Sequence, residues 1–212
     1  MRSLLAGVIF FGLILHALAV GQTAFVIEDE FKRVSCSSVI KLAHKTGCRL
    51  HSHAITYGTG SGQQAVTCNP AADNTDDYFW VQTGLGSPSC KRGQEIPCNS
   101  IVRLMHLNTK KYLHSHAGHA SPFTRNQEVS AFDGTDKGDN WKVICVDKND
   151  KFWTRESPIR LVHEETGKYL SASPQHVYRV NPPGQVEVSG LGSASSDDIW
   201  TAQEGIYFSA PE

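Results

Sequence analysis

Apolar residues along this chain gather in short runs set between glycine, asparagine and aspartate, as at residues 39–42 and 129–132. No stretch holds a 3.6-residue apolar period over helical length, so the pattern predicts β-strands joined by turns.

The pattern also repeats. Val39-Ile40-Lys41-Leu42-Ala43-His44, then Thr46 and Arg49-Leu50-His51-Ser52-His53, is matched by Ile101-Val102-Arg103-Leu104-Met105-His106, then Thr109 and Tyr112-Leu113-His114-Ser115-His116. A third copy reads Ile159-Arg160-Leu161-Val162-His163, then Thr166 and Tyr169-Leu170-Ser171-Ala172. Each copy continues through Gln64-Ala65-Val66-Thr67, Gln127-Glu128-Val129-Ser130 or Val186-Glu187-Val188-Ser189. Each then closes on an acidic or amide pair ahead of a tryptophan: Asp76-Asp77 before Trp80, Asp139-Asn140 before Trp141, Asp197-Asp198 before Trp200. The tryptophans lie 61 and 59 residues apart.

Four apolar runs per copy give about twelve short strands, an all-β chain. Three four-stranded units predict a β-trefoil, a closed barrel capped by hairpins, because closure removes free sheet edges. The repeated Leu, Val and Trp then form a symmetric core. The trefoil is expected over residues 35–208, with repeats at about 35–90, 91–152 and 153–208, an N-terminal segment 20–34 and a tail 209–212.

Residues 1–19 read as a signal peptide: Arg2 at the front, an apolar run over 4–15, and Ala17-Leu18-Ala19 as a small-x-small cleavage pattern. The run falls short of the ~20 residues that span a bilayer, so no membrane span is expected after cleavage. The last residues, Phe208 to Glu212, form no Lys/His-Asp-Glu-Leu retrieval signal, which fits either secretion or retention through a partner in the endoplasmic reticulum lumen. No Asn-x-Ser/Thr acceptor is present.

Charge narrows the partners. The chain carries 20 Lys+Arg against 21 Asp+Glu. That balance lacks the basic excess of a nucleic-acid-binding protein, and it supports no polybasic membrane patch.

Six cysteines in an exported chain imply disulfides. Cys48 and Cys68 flank the second and third strands of the first copy; a register with Leu50 near Val66 sets them opposite each other. Cys98 and Cys145 lie on strands expected to be neighbours in the second copy. That leaves Cys36 with Cys90, and a local Cys90–Cys98 loop stands as the rival.

Seven histidines fall on repeat landmarks: His44, His51, His53, His106, His114, His116 and His163. Within a strand, His51 and His53 share a face, as do His114 and His116. Two imidazoles at that spacing suit Zn²⁺ or Cu²⁺, but a site needs further ligands and no carboxylate follows them at fixed spacing. The histidines are therefore read as hydrogen-bonding struts, and no metal and no cofactor is assigned. Catalysis finds little support. The Gly58-Thr59-Gly60-Ser61-Gly62 loop lacks the Lys-Ser/Thr of a P-loop, and alternation turns Ser52 and Ser115 away from any histidine base. No catalytic residue is assigned.

At these residues the sequence resembles the stromal cell-derived factor 2 family, soluble secretory-pathway proteins of three MIR motifs. The resemblance is most specific at Arg49-Leu50-His51-Ser52-His53, Tyr57-Gly58-Thr59-Gly60-Ser61-Gly62-Gln63-Gln64, Leu113-His114-Ser115-His116 and Asn126-Gln127-Glu128-Val129-Ser130-Ala131-Phe132. It implies a β-trefoil and a non-enzymatic role in endoplasmic-reticulum quality control, with secretory client proteins, J-domain co-chaperones and BiP as partners. MIR motifs also occur in protein O-mannosyltransferases, which brings in glycans as an alternative ligand. A secreted trefoil ligand is a third reading, but its usual basic patch is missing, since Lys110-Lys111 is the only adjacent Lys pair. The expected contacts are the loops at residues 54–63 and 117–126, with Tyr57 and Phe123 as aromatic anchors and Gln63, His51, His53, His114 and His116 as polar ones.

Overall fold

A computed structural model describes residues 26–71 and 73–210; the expected signal peptide lies outside the described residues. Twelve strands run in chain order: β1 (Val39–His44), β2 (Arg49–Thr56), β3 (Gln64–Asn69), β4 (Tyr78–Thr83), β5 (Ile101–His106), β6 (Tyr112–Ala120), β7 (Gln127–Phe132), β8 (Trp141–Cys145), β9 (Ile159–His163), β10 (Tyr169–Val177), β11 (Val186–Leu191) and β12 (Trp200–Ile206). Short 3₁₀ turns at Thr75–Asp77, Lys137–Asp139 and Ser196–Asp198 precede β4, β8 and β12.

The first and last strands of each repeat pair antiparallel in one closed ring, β1–β4–β5–β8–β9–β12 and back to β1. The middle strands form hairpins β2–β3, β6–β7 and β10–β11. Their inner strands β3, β7 and β11 pair with one another around the three-fold axis. This is a β-trefoil: a six-stranded barrel capped by a triangle of hairpins.

The inward positions of the repeats build the core. Leu42, Leu104 and Leu161 are fully buried, as are Leu50, Leu113 and Leu170, and Val66, Val129 and Val188. Each such side chain contributes about 1.5–3 kcal/mol by leaving water. The floor of the barrel closes through three backbone bonds in a ring, with Val34 N–H donating to Trp153 C=O, Trp153 to Ile96 and Ile96 to Val34. Those three residues are buried, so core packing begins at Val34, one residue ahead of Ser35.

Two details correct the sequence reading. The first repeat closes on Phe79, not Trp80. Phe79 is fully buried like Trp141 and Trp200, whereas Trp80 is half-buried. The reason is spacing: each core aromatic stands two residues after a buried aspartate, at Asp77, Asp139 and Asp198. The hairpin register also differs, since Leu50 faces Cys68, and Val66 faces Ser52. A slip of two residues leaves every side chain on its own face, so the inward–outward pattern cannot detect it.

All three expected disulfides form: Cys36–Cys90, Cys48–Cys68 and Cys98–Cys145, with Cα separations of 6.2, 5.4 and 5.6 Å. Those spans fall within the range a disulfide bridges. Cys48–Cys68 crosses its hairpin diagonally because of the register.

Candidate functional site

Chemistry-bearing side chains collect in three tiers. The lowest holds His44, His106 and His163 at the ends of β1, β5 and β9. Their rings pack on Trp200, Phe79 and Trp141 at centroid distances of 5.0, 5.4 and 5.1 Å. Each Nε2 donates to a carbonyl of a 3₁₀ turn in the preceding repeat, at Asp197, Asp76 and Gly138, over 3.0–3.1 Å. A carbonyl only accepts, so the proton sits on Nε2 and Nδ1 accepts from the hydroxyls of Thr46, Thr109 and Thr166, each at 2.8 Å. Burial pushes all three imidazoles below their ordinary pKa, which keeps them neutral. Gln64 and Gln127 tie repeats together by bridging Ser52 to Thr109 and Ser115 to Thr166. At the third junction Val186 replaces the glutamine.

The middle tier holds the fully buried Asp77, Asp139 and Asp198. His51 Nδ1 meets Asp77 at 2.7 Å and His114 Nδ1 meets Asp139 at 2.9 Å. In the third repeat Ser171 stands at the histidine position, and Arg160 Nε takes over at 2.8 Å from Asp198. Beyond these pairs, His53 is half-buried, its ring 4.9 Å from that of His51. Burial, with His51 adding to it, lowers its pKa. His116 faces two carboxylates, Asp136 at 3.3 Å and Glu165 at 3.1 Å.

The upper tier is the hairpin end. Glu128 and Glu187, both buried, hold the loop of the preceding repeat. Glu187 accepts the amides of Phe123 and Thr124 at 2.7 and 3.1 Å. Glu128 accepts from the amide and hydroxyl of Ser61. Ala65 occupies the matching place in the first repeat, and the loop of the third is tied instead by Thr67 to Gln185. Gly60 has φ +70°, and a Cβ there would lie 1.9 Å from a Glu128 carboxylate oxygen.

The expected contact residues therefore separate. Tyr57 is buried, its hydroxyl 2.9 Å from both the Val66 and Val129 carbonyls. It bridges β3 and β7, and burial drives its pKa well up; its place in a loop does not bring it to the surface. Phe123 is 43% exposed, its ring 4.9 Å from Tyr178 and 6.3 Å from His176 of the third loop. Gln63 accepts from Ser130, and Gln63, His114 and His116 line one chamber of about 30 Å³ with Ser61, Glu128 and Ser130. His51 and His53 form a separate pair in the first repeat.

Sequence reasoning missed Glu128, Glu187, Asp136, Glu165 and Tyr178. Glu128 and Glu187 carried a signal: each stands beside the inward valine of its third strand, where the first repeat has Ala65. Ser52 and Ser115, set aside as nucleophiles in the sequence, donate to the Ala65 and Glu128 carbonyls. Among the described residues no helix is long and apolar enough to cross a membrane.

Three four-stranded repeats with these clamps define a MIR-domain β-trefoil, and the MIR domain model matches residues 48–201. The chain belongs to the stromal cell-derived factor 2 family. It is 40% identical to human stromal cell-derived factor 2 over 183 residues, which cover 84% of each chain. The crystal structure of the SDF2-like protein from Arabidopsis thaliana superposes with a TM-score of 0.80 at 40% identity, covering 85% of this chain and 99% of that one. The S. cerevisiae protein O-mannosyltransferase Pmt1–Pmt2 complex bound to the sugar donor contains a similar unit, with a TM-score of 0.74 and 26% identity. That match covers 85% of this chain and 26% of the other. Three disulfides fit the oxidising secretory pathway.

Proposed function

We propose that this chain is a non-enzymatic binding module of the endoplasmic reticulum lumen, assisting protein folding with a J-domain co-chaperone and BiP. The observation that carries this reading is the hairpin end. Phe123 is exposed there on a loop held from below by the buried Glu187, and Val177 and Val180 are exposed beside Tyr178 on the loop tied by Thr67 to Gln185. Residues 54–63, 117–126 and 174–185 contain no acidic residue, while Arg125 and Arg179 add positive charge. An apolar, mildly cationic rim on a rigid base suits extended protein segments. The buried aspartates below it are paired with His51, His114 and Arg160, and the loops are the accessible part.

A second reading, glycan binding, draws on the likeness to the O-mannosyltransferase complex bound to its sugar donor. One experiment separates the two. Tagged mature protein is used to capture partners from a secretory-pathway lysate, and the same protein is applied to a glycan array. Recovery of a J-domain protein and BiP, weakened by Phe123→Ala, supports the folding role. Saturable sugar binding without those partners overturns it in favour of the glycan reading.

A further inference from the structure

The three-fold features of this protein serve the fold, so a departure from three-fold symmetry that gathers metal-ligand chemistry needs another explanation. One such departure lies in the second repeat. His114 and His116 are the third and fifth residues of β6, as His51 and His53 are of β2, but only here does the residue capping the 3₁₀ turn before the last strand of the repeat carry a carboxylate. Asp136 occupies the place of Asn74 in the first repeat and Ser195 in the third. One donor atom from each of His114, His116 and Asp136 lies within 4.8 Å of the others.

The surrounding carboxylates orient both rings. Asp139 sits 2.9 Å from His114 Nδ1 and Glu165 sits 3.1 Å from His116 Nδ1. A proton on each Nδ1 satisfies those contacts and leaves each Nε2 as a bare lone pair. Histidines that ligate metals through one nitrogen usually donate the other to a carboxylate in this way. His116 Nε2 then faces Asp136 Oδ2 at 3.3 Å. His114 is 2% exposed, and its Nε2 is buried with no hydrogen-bond partner. A buried acceptor left without a donor carries an uncompensated desolvation cost, which a cation removes. Both rings, though not Asp136, also line a chamber of about 30 Å³ beside the cluster.

We propose that His114, His116 and Asp136, with Asp136 Oδ1 3.7 Å from His114 Nδ1 and Oδ2 3.3 Å from His116 Nε2, form a binding site for a divalent cation of borderline softness, with Zn²⁺ as the natural occupant. Donors at about 2.0–2.2 Å from zinc stand about 3–3.6 Å apart, so the His116–Asp136 separation already fits. The exposed His116 and Asp136 side chains close the rest by rotation. Solvent fills the remaining coordination position, since His116 and Asp136 are 38% and 43% exposed. The sequence could not show this site, because Asp136 is far along the chain from the His-Ser-His segment and only the turn folds it back. The site is independent of the folding role proposed for the loops.

The test uses the folded mature protein with Co²⁺ as a spectroscopic probe and Zn²⁺ as competitor. Asp136→Asn keeps the turn cap, since Asn74 does that work in the first repeat. His116→Ala touches an exposed side chain, and circular dichroism verifies that both variants fold. The expected result is one Co²⁺ per chain with visible absorption displaced by Zn²⁺, weakened at least about 10-fold in either variant and unchanged in His53→Ala. Loss of binding to the same extent in His53→Ala overturns the proposal. So does binding that survives the His116→Ala/Asp136→Asn pair, or the absence of any binding at 100-fold excess metal.

Discussion

Arg160 donates its Nε–H to the buried carboxylate of Asp198 at 2.8 Å, doing in the third repeat what His51 and His114 do in the first two. The charge arrives from a different strand. Arg160 lies on β9, and the matching base of the second repeat, Arg103, instead spreads over the Tyr112 ring. Three buried aspartates are thus kept, while the partner is exchanged.

Removing Arg160 leaves Asp198 buried, with the Ser195 amide at 2.9 Å as its one remaining side-chain hydrogen bond among the described residues. Arg160→Ala is expected to cost about 3 kcal/mol, toward the low end for a broken buried pair because the arginine reaches solvent. Adding Ser171→His to that variant puts an imidazole at the place of His51 and His114, and a substantial part of the loss is expected to return. Urea unfolding of the single and double variants measures both. A double variant no more stable than Arg160→Ala removes the claimed equivalence.

The displaced aromatic of the first repeat gives a second contrast. Phe79→Ala opens the core and is expected to cost about 3–5 kcal/mol. Trp80→Ala, at a half-buried position, is expected to cost about 1 kcal/mol. Thermal melts of the two variants decide it; a larger loss at Trp80 reverses the assignment.

The same pair marks what a sequence can yield. The three-fold fold was readable because Leu, Val and Trp recur at fixed order and each repeat must bury the same face. Two of the disulfides followed from strand adjacency, and Cys36–Cys90 from what those two left over. Phe79 was hidden by a neighbouring tryptophan of the expected type, although the spacing from Asp77 pointed to it. The hairpin register escaped because a two-residue slip preserves every face. Tyr57 looked exposed since its neighbours are Gly, Ser and Thr, and only the packing of one hairpin against the next buries it. Asp136 and Glu165 reach His116 from a turn and from another repeat, a juxtaposition set by barrel closure and not by local pattern.

Loop anchoring by glutamate is testable apart from partner capture. Glu187→Ala strips the Phe123 and Thr124 amides of their acceptor, with an expected global cost of about 1–3 kcal/mol. The local effect is larger: those two amides should exchange with deuterium more than about 10-fold faster, while the core of β7 changes little. Gly60→Ala should disturb the loop of the first repeat in the same manner, since its Cβ meets the Glu128 carboxylate and its φ is +70°. Hydrogen exchange resolved by residue checks both, and unchanged protection at Phe123 rules out the anchor.

Acid stability follows from the lowest tier. His44, His106 and His163 are held neutral by burial, against the partial support for protonation from the carbonyls they touch. In the unfolded chain each takes up a proton near pH 6.5. Below that pH the unfolded state binds protons that the folded state refuses, so stability rises with pH. The contribution is complete above the unfolded value and is lost as the pH falls through about 6.5 toward the lower folded values. His53 moves in the same direction. Urea midpoints are therefore expected to drop between pH 7.5 and 5.5. In His106→Gln, whose amide can still donate to the Asp76 carbonyl, the slope should shrink by about a quarter to a third, because one proton-binding site has gone. A midpoint that holds steady or climbs on acidification contradicts the neutral-histidine clamp, as does a slope in His106→Gln equal to that of the unaltered protein.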